Sequence, residues 1–514
     1  MTMTDVRDLL LASRLDSSRV AGLLAPFGVT DFEKADANLQ AAAGEPGERL
    51  LLAEILPDLL ACVAGSANPD QALTYFERFT GATSSKAHLF TYLKNSRQSL
   101  DILAKSLGGS AYMAEILIRD PHHFYWVTDP QILHRVRRKR DIQRDLIQTL
   151  KRLGREDKQL AYLRALKRRE MLLIGVRDLL RIATVEETLS ALSVLAEALI
   201  SATYGICATA LRRIHKVPPK VFIDFTIFAM GKLGGGELNF SSDVDLMFLY
   251  ASNEEKTAGI SAQEYFRRLA QRITAGLSSF TGEGYVYRVD LRLRPEGDAG
   301  NLADPFDGFE RYYRTRMGTW ERLALLKAWP VAGNWKLGRR FLEMSRPFIF
   351  NPPFDLEALA DVRDMKARLD GKISARGQTD RNVKLGTGGI REIELVVQSI
   401  QAMHGGRMPE ILDRNTLRSL VALRGKSLLS DEEFTTLHRA YLFLRDVENK
   451  LQMVDDAQTH SLPREREELR TCARLLGYLE DSPNESPSDP LLREYRQHTR
   501  GVNRIFEKVV ARRN

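Results

Sequence analysis

The sequence predicts an α+β protein that is predominantly helical, with a small mixed-sheet module between an N-terminal helical region and a C-terminal helical bundle. Three observations carry this. Apolar stripes of helical period fill the chain before about residue 215 and after about 338. Two short runs rich in aromatic and β-branched residues, VFIDFTIFAM (221–230) and DVDLMFLY (243–250), read as strands. A third run, YVYRVDLRLRP (285–295), alternates with period two. At 514 residues the chain is too long for one compact core, and the expected division is 1–215, 216–337 and 338–514.

In chain order, AGEPGE (43–48) reads as a loop between helices. KRREMLLIGVRDLLRI and TVEETLSALSVLAEALI read as helices, the latter from Leu192, Leu195, Ala196 and Leu199, with Thr184 and Glu187 spaced as a capping box. Between the second and third strands, Ser261 and Glu264 cap an amphipathic helix whose stripe is Phe266, Leu269, Ile273 and Leu277. ADPFDG (303–308) reads as a turn. DLEALADVRDMKARLDGKI, GIREIELVVQSIQAM and FTTLHRAYLFLRDVENKLQMV continue the helical pattern, and EDSPNESPSDP (480–490) reads as a mobile loop before the last helix.

Cys62, Cys207 and Cys472 lie far apart, which argues against a disulfide framework or structural zinc and fits a reducing, cytoplasmic setting. The first residues do not read as a signal peptide, and no apolar run reaches the ~18–20 residues of a membrane span. The net charge of +8 is concentrated between Arg135 and Glu170, where 14 Lys/Arg face 5 Asp/Glu. No aromatic residues interleave the stretch from Arg135 to Lys158, so a solvated basic helix face is the favoured reading over nucleic-acid binding.

The chemistry concentrates in GKLGGGELNFSSDVDLMF (231–248). Asp243 and Asp245 are two apart on one strand, so their carboxylates share a face and repel unless a cation lies between them. Hard oxygen ligands suit Mg²⁺ or Mn²⁺. An isolated DxD is most often an exposed strand end. Asp290 strengthens the case, because one face of its run is Val286, Arg288, Asp290, Arg292 and Arg294. Its plain reading is a salt-bridged solvent face; its functional reading is a third carboxylate beside guanidinium groups that hold phosphate. Three acids on two strands can hold two divalent ions, the arrangement that supports in-line phosphoryl or nucleotidyl displacement. Gly234 and Gly235 would let backbone N–H groups approach phosphates, Ser242 would add a hydroxyl, and Lys232 a charge. Neither GxxxxGK[ST] nor HExxH occurs, and His122 and His123, being adjacent, make a poor metal pair. A second glycine cluster, KLGTGGIREIE (384–394), precedes a helix whose first turn holds Arg391, Glu392 and Glu394; it reads equally well as an anion site or as a loop with dipole-favouring acids.

The order of glycine turn, DxD strand, helix and third acid resembles the nucleotidyltransferase fold of the DNA polymerase β superfamily. GKLGGGELNFSSDVDLMF, YRVDLRLRPEGDAG, WERLALLKA, VKLGTGGIREIE and QTHSLP together are similar to the glutamine synthetase adenylyltransferase/adenylyl-removing enzymes, over most of residues 85–475. The resemblance implies Asp243, Asp245 and Asp290 as metal ligands, Gly234, Gly235 and Ser242 as the phosphate-holding turn, and Arg292 and Arg294 as phosphate contacts or supports of the acids. Family members typically carry two such modules, and GGGELNFSSD is similar to the N-terminal, adenylyl-removing one. The implied function is phosphorolytic deadenylylation of glutamine synthetase in nitrogen control. Its implied partners are adenylylated glutamine synthetase, inorganic phosphate, ADP/ATP and a PII signalling protein, with no membrane. Adenylyl transfer from ATP, a non-catalytic regulatory module and a nucleic-acid-binding protein are the alternatives.

Overall fold

In the computed structural model of this chain the described residues are 5–13, 15–254, 256–257, 259–375, 377, 379–479 and 486–510. Residues 480–485 of the expected loop lie outside them. The sequence reading cuts the chain into three consecutive stretches. The described fold gathers into two units whose segments alternate along the sequence: Met1–Val136, Arg168–Thr184 and Asn449–Arg493 in one, and Arg137–Lys167, Val185–Glu448 and Glu494–Asn514 in the other.

The first unit is built of helices. Ser85, Ser96 and Ser110 each accept a hydrogen bond from the N–H three residues on, satisfying a donor that the helix itself leaves open. Leu56, Leu60, Phe76, Phe79 and Phe90 are buried within it. The expected 43–48 loop is shorter than predicted, because Pro46 already occupies the first turn of the helix Pro46–Ala64, where its missing N–H costs nothing.

The second unit holds the sheet. Helix α1 (Val185–His215) leads to strand β1 (Phe225–Ala229), the short helix α2 (Gly231–Gly235) and strand β2 (Val244–Tyr250). Helix α3 (Ala262–Ser278) follows, capped by Ser261, and then strands β3 (Val289–Asp290), β4 (Ala303–Pro305) and β5 (Trp329–Gly333). The remaining elements needed here are α4 (Trp335–Phe350), α5 (Ile390–His404), α6 (Thr416–Gly425), α7 (Asp431–Met453) and α8 (Ser488–Val510). The strand order is β3-β2-β1-β5, with β4 also pairing with β2. β1 lies antiparallel to both neighbours, whereas β3 and β4 run parallel to β2.

Both faces of the sheet are buried, which explains why β1 and β2 read as continuous apolar runs. Phe228, Met230, Met247 and Leu249 pack with Phe309 and Phe341 on one side. On the other, Phe225 stacks on Phe266 of α3 at 5.5 Å and on Tyr204 of α1 at 5.8 Å between ring centroids. Helix α1 is, contrary to the sequence expectation, long and apolar enough to cross a membrane by length and composition, with a mean hydropathy of 1.6 over its most apolar window. Its apolar residues Leu192, Leu195, Ala196 and Leu199 are buried in the fold.

Two strand expectations change. The 285–295 run is a strand only at Val289–Asp290. Val286 and Tyr287 turn their N–H groups to the Leu277 carbonyl at the end of α3, and the Asp290 carboxylate accepts the N–H of Arg292 at 2.9 Å. That local side-chain-to-backbone bond turns the chain out of the ladder. Conversely, the 303–308 turn becomes β4 followed directly by the helix Phe306–Arg316. Pro305 suits this junction, since it ends the strand and needs no further ladder N–H.

Candidate active site

The parallel pairing of β2 with β3 sets Asp245 directly beside Asp290. Asp243, two residues before Asp245, precedes β2. Burial, then the charges of Asp290 and Asp243, push the Asp245 carboxyl up to about 7, although Lys384 and Arg391 pull the other way. The outer acids are held by arginines. Arg288 Nε donates to Asp243 Oδ1 at 2.7 Å, and the same guanidinium bonds the Ser241 carbonyl at 2.7 Å and the Tyr285 hydroxyl at 2.6 Å. Arg292 Nε donates to Asp290 at 3.0 Å. Burial alone would raise Asp290, but these bonds to Arg292 outweigh it and hold its pKa below the ordinary value.

Three carboxylates, the central one burdened by its neighbours' charge, are a donor set that fits a hard divalent cation. Among the described residues they do not form a ready-made ligand group for a metal ion, and Asp243 and Asp290 each face a guanidinium.

The glycine turn works differently from the sequence expectation. Gly234 and Gly235 are buried. A Cβ on Gly234 would stand 2.1 Å from the Lys327 carbonyl oxygen, and one on Gly235 would stand 3.0 Å from that of Arg414. The Gly234 N–H is bonded to the Met230 carbonyl at 2.9 Å and is not open to a phosphate. These glycines admit neighbouring backbone. Gly231 is the one that meets the acids: its φ is +52°, and a Cβ there would lie 2.6 Å from Asp245 Oδ2. Ser242 Oγ accepts the Asn239 N–H at 3.2 Å and closes the loop. Lys232 points inward, donating to Glu448 at 2.6 Å and to Asn239 at 3.0 Å, with burial pulling its pKa below the ordinary lysine range. Arg294 is buried too and donates to the carbonyls of Leu291 (2.7 Å) and Asn301 (3.1 Å), shaping the loop after β3. Arg292, with 71% of its side chain exposed, is the arginine of this pair that remains open to a ligand.

The second glycine cluster is brought to the same region. Glu394 of α5 meets Lys327 at 3.3 Å, and Lys327 donates to Glu237 of the turn at 3.0 Å and to Thr416 of α6 at 3.1 Å. Burial would raise Glu394, but Lys327 first and Arg391 second bring it down to about 2. Glu392 faces away, toward Lys366 at 3.1 Å and Asn503 of α8 at 3.2 Å. Arg445 of α7 is buried completely and donates to the Glu237 carbonyl and to Asn239. Sequence reasoning did not single out Lys327, Glu237, Arg445 or Glu448. Lys327 and Glu237 stand inside the quoted motifs WERLALLKA and GGGELN, where a charged residue amid apolar neighbours was the available signal.

A mixed sheet bearing paired acids at the start of one strand, a third acid in register on the next and a glycine turn beneath them defines a nucleotidyltransferase-type enzyme module. Residues 100–344 match the family described as glutamate-ammonia ligase adenylyltransferase, and residues 363–510 match one described as GlnD PII-uridylyltransferase. The chain is similar to the bifunctional glutamine synthetase adenylyltransferase/adenylyl-removing enzymes of Vibrio parahaemolyticus (38% identity; 68% of this chain, 37% of the relative) and Thioalkalivibrio sulfidiphilus (38%; 80% and 42%). That of Xanthomonas campestris is 41% identical over 59% of this chain and 33% of the relative. The chain belongs to this glutamine synthetase adenylyltransferase/adenylyl-removing family and spans less than half the length of those relatives.

Proposed function

We propose that the chain removes AMP from an adenylylated tyrosine of glutamine synthetase by phosphorolysis. The observation that carries nucleotidyl chemistry is the in-register pair Asp245–Asp290 with Asp243 beside it. The direction is supported by the GGGELNFSSD wording of the turn, similar to adenylyl-removing modules. Both activities appear in the relatives' names.

An oxygen of inorganic phosphate forms a bond to the AMP phosphorus as the bond to the tyrosine oxygen breaks, giving ADP and tyrosinate. Tyrosinate, with a reference pKa of about 10, takes its proton from solvent. The main obstacle is repulsion between two anions at a site that already holds three carboxylates. Asp243, Asp245 and Asp290 would hold Mg²⁺ or Mn²⁺, which supplies the positive charge that the phosphoryl oxygens and leaving tyrosinate require. The exposed Arg292 guanidinium keeps further N–H groups for an entering phosphate while one edge holds Asp290. Arg288 fixes the turn of Asp243 through Ser241 and Tyr285, so the acid keeps its orientation.

The test runs in both directions: adenylylated glutamine synthetase with phosphate, followed by ADP release, and unmodified glutamine synthetase with labelled ATP. ADP release that needs a divalent cation and is lost in a folded Asp243→Asn variant is the expected result. Label transfer from ATP without ADP release would reverse the direction, and activity in neither assay would overturn the assignment.

A further inference from the structure

Around the carboxylates, the charged groups sort themselves by what they touch. Lys232, Arg294, Lys327 and Lys366 are buried and bonded to protein oxygens. Arg288 and Arg292 hold Asp243 and Asp290. Two cations at the junction of the glycine loop and α5, Lys384 in the loop and Arg391 in the first turn, are less committed. The half-buried Lys384 ammonium makes no hydrogen bond or ion pair to a described residue. Arg391, with 41% of its side chain exposed, has one acceptor among the described residues, Glu394 at 3.3 Å.

The backbone locks these two together. The Arg391 N–H donates to the Lys384 carbonyl and the Ile390 N–H to the Val383 carbonyl, both at 2.9 Å. Asn382 Oδ1 accepts the N–H groups of Lys384 (3.1 Å) and Leu385 (2.8 Å), so the approach to Lys384 is fixed as well. Glu394, held by the buried Lys327, tethers Arg391 from one turn further along α5. The chain Arg391–Glu394–Lys327–Glu237, with separations of 3.3, 3.3 and 3.0 Å, ties the pair to the glycine turn that leads into the carboxylates. A positioned ammonium unpaired among the described residues, with a partly satisfied guanidinium, is a combination that suits phosphate oxygens: a point charge and a planar fork.

We propose that Lys384 and Arg391 are the anion-holding pair of this site and bind the non-bridging phosphate oxygens of the nucleotide or of the incoming phosphate. This rests on the nucleotidyltransferase reading of the site. It moves the phosphate-binding role from the buried Gly234–Gly235 turn and Lys232 to the segment leading into α5.

The experiment compares wild type with Lys384→Met, Arg391→Met and Lys384→Arg. ADP and ATP affinities are measured by calorimetry in Mg²⁺, and the KM for inorganic phosphate in the deadenylylation assay. Lys384 loses no hydrogen bond or ion pair to a described residue, so thermal melting of Lys384→Met should stay close to wild type. Loss of a charged hydrogen bond should weaken nucleotide or phosphate binding on the order of 10–100-fold, with Lys384→Arg restoring most of it. Should either methionine variant melt early, Lys384→Gln and Arg391→Lys decide in its place by the same measurements.

Wild-type ADP affinity and wild-type phosphate KM in both neutralised variants would overturn the pair. A wild type inactive on both forms of glutamine synthetase, yet binding ADP in a Lys384-dependent way, would overturn the proposed reaction and leave the pair standing. A wild type that binds no nucleotide in Mg²⁺ would overturn both.

Discussion

At the scale of single residues, Asp245 is where stability and chemistry oppose each other. Its carboxyl stands at about 7 in the fold against 3.8 for an unperturbed side chain. Between those values the folded chain holds a proton that the unfolded chain has released, so stability falls as pH rises from about 4 to about 7 and the cost is complete above 7. In metal-free protein, Asp245→Asn should therefore raise the unfolding free energy at pH 8 by on the order of 1–4 kcal/mol and change it little at pH 4, while abolishing turnover. Urea titrations at the two pH values check this; equal effects at both would sink the argument. Gly231 is a second such residue. Gly231→Ala forces a side chain into a left-handed conformation and against Asp245 Oδ2, at a cost of about 1–2 kcal/mol. Activity should fall further than that loss of stability explains, because the displaced atom belongs to the central acid. The DxD spacing was legible because alternate strand residues share a face. Gly231 was not, since nothing in a run of glycines says which one meets the carboxylate.

At the scale of elements, α5, α6 and α7 are joined to the glycine turn by buried charges rather than by apolar packing alone. Glu394 has a folded pKa of about 2 against an ordinary 4.5. Its stabilisation is present above about pH 4.5 and is lost as pH falls toward 2, when the carboxylate takes up a proton. Glu394→Gln should flatten that acid limb, and at pH 7 it should cost on the order of 3–5 kcal/mol by leaving the buried Lys327 with less counter-charge. Lys327→Met combined with Glu394→Gln should recover part of that loss, which a double-mutant cycle measures. The strand around Asp290 shows why element boundaries were harder to read than element types. Its period-two pattern is real, but the carboxylate of Asp290 binds the backbone two residues on, and that bond competes with the ladder. Likewise Pro305 marks a strand-to-helix junction, not a turn, because β2 offers a parallel edge there that only the folded sheet reveals.

At the scale of the whole chain, the helical character, the small sheet and the three acids were all legible, because periodicity and spacing are local properties. The interleaving of two units along the sequence was not, because it depends on contacts between distant segments. Neither was the burial of Lys232, whose partner Glu448 lies 216 residues away. A chain ending at residue 344 would keep β1 to β5 but leave Lys232 without Glu448 and Lys327 without Glu394. It should lack a cooperative thermal transition in calorimetry, whereas the full chain should melt with one or two sharp transitions.

Gly388 gives this a wider consequence. Its φ is +71°, and a Cβ there would come within 1.8 Å of the Thr499 carbonyl oxygen, so α8 rests on the very loop that presents Lys384 and Arg391. Residues from both family matches, 100–344 and 363–510, meet around the glycine turn through Glu237, Lys327 and Glu394. A recombinant gene that exchanges either match for a relative's would join a sheet to a wall shaped for another. An exchange running unbroken from β1 through α8 should keep the loop and the helix that supports it together.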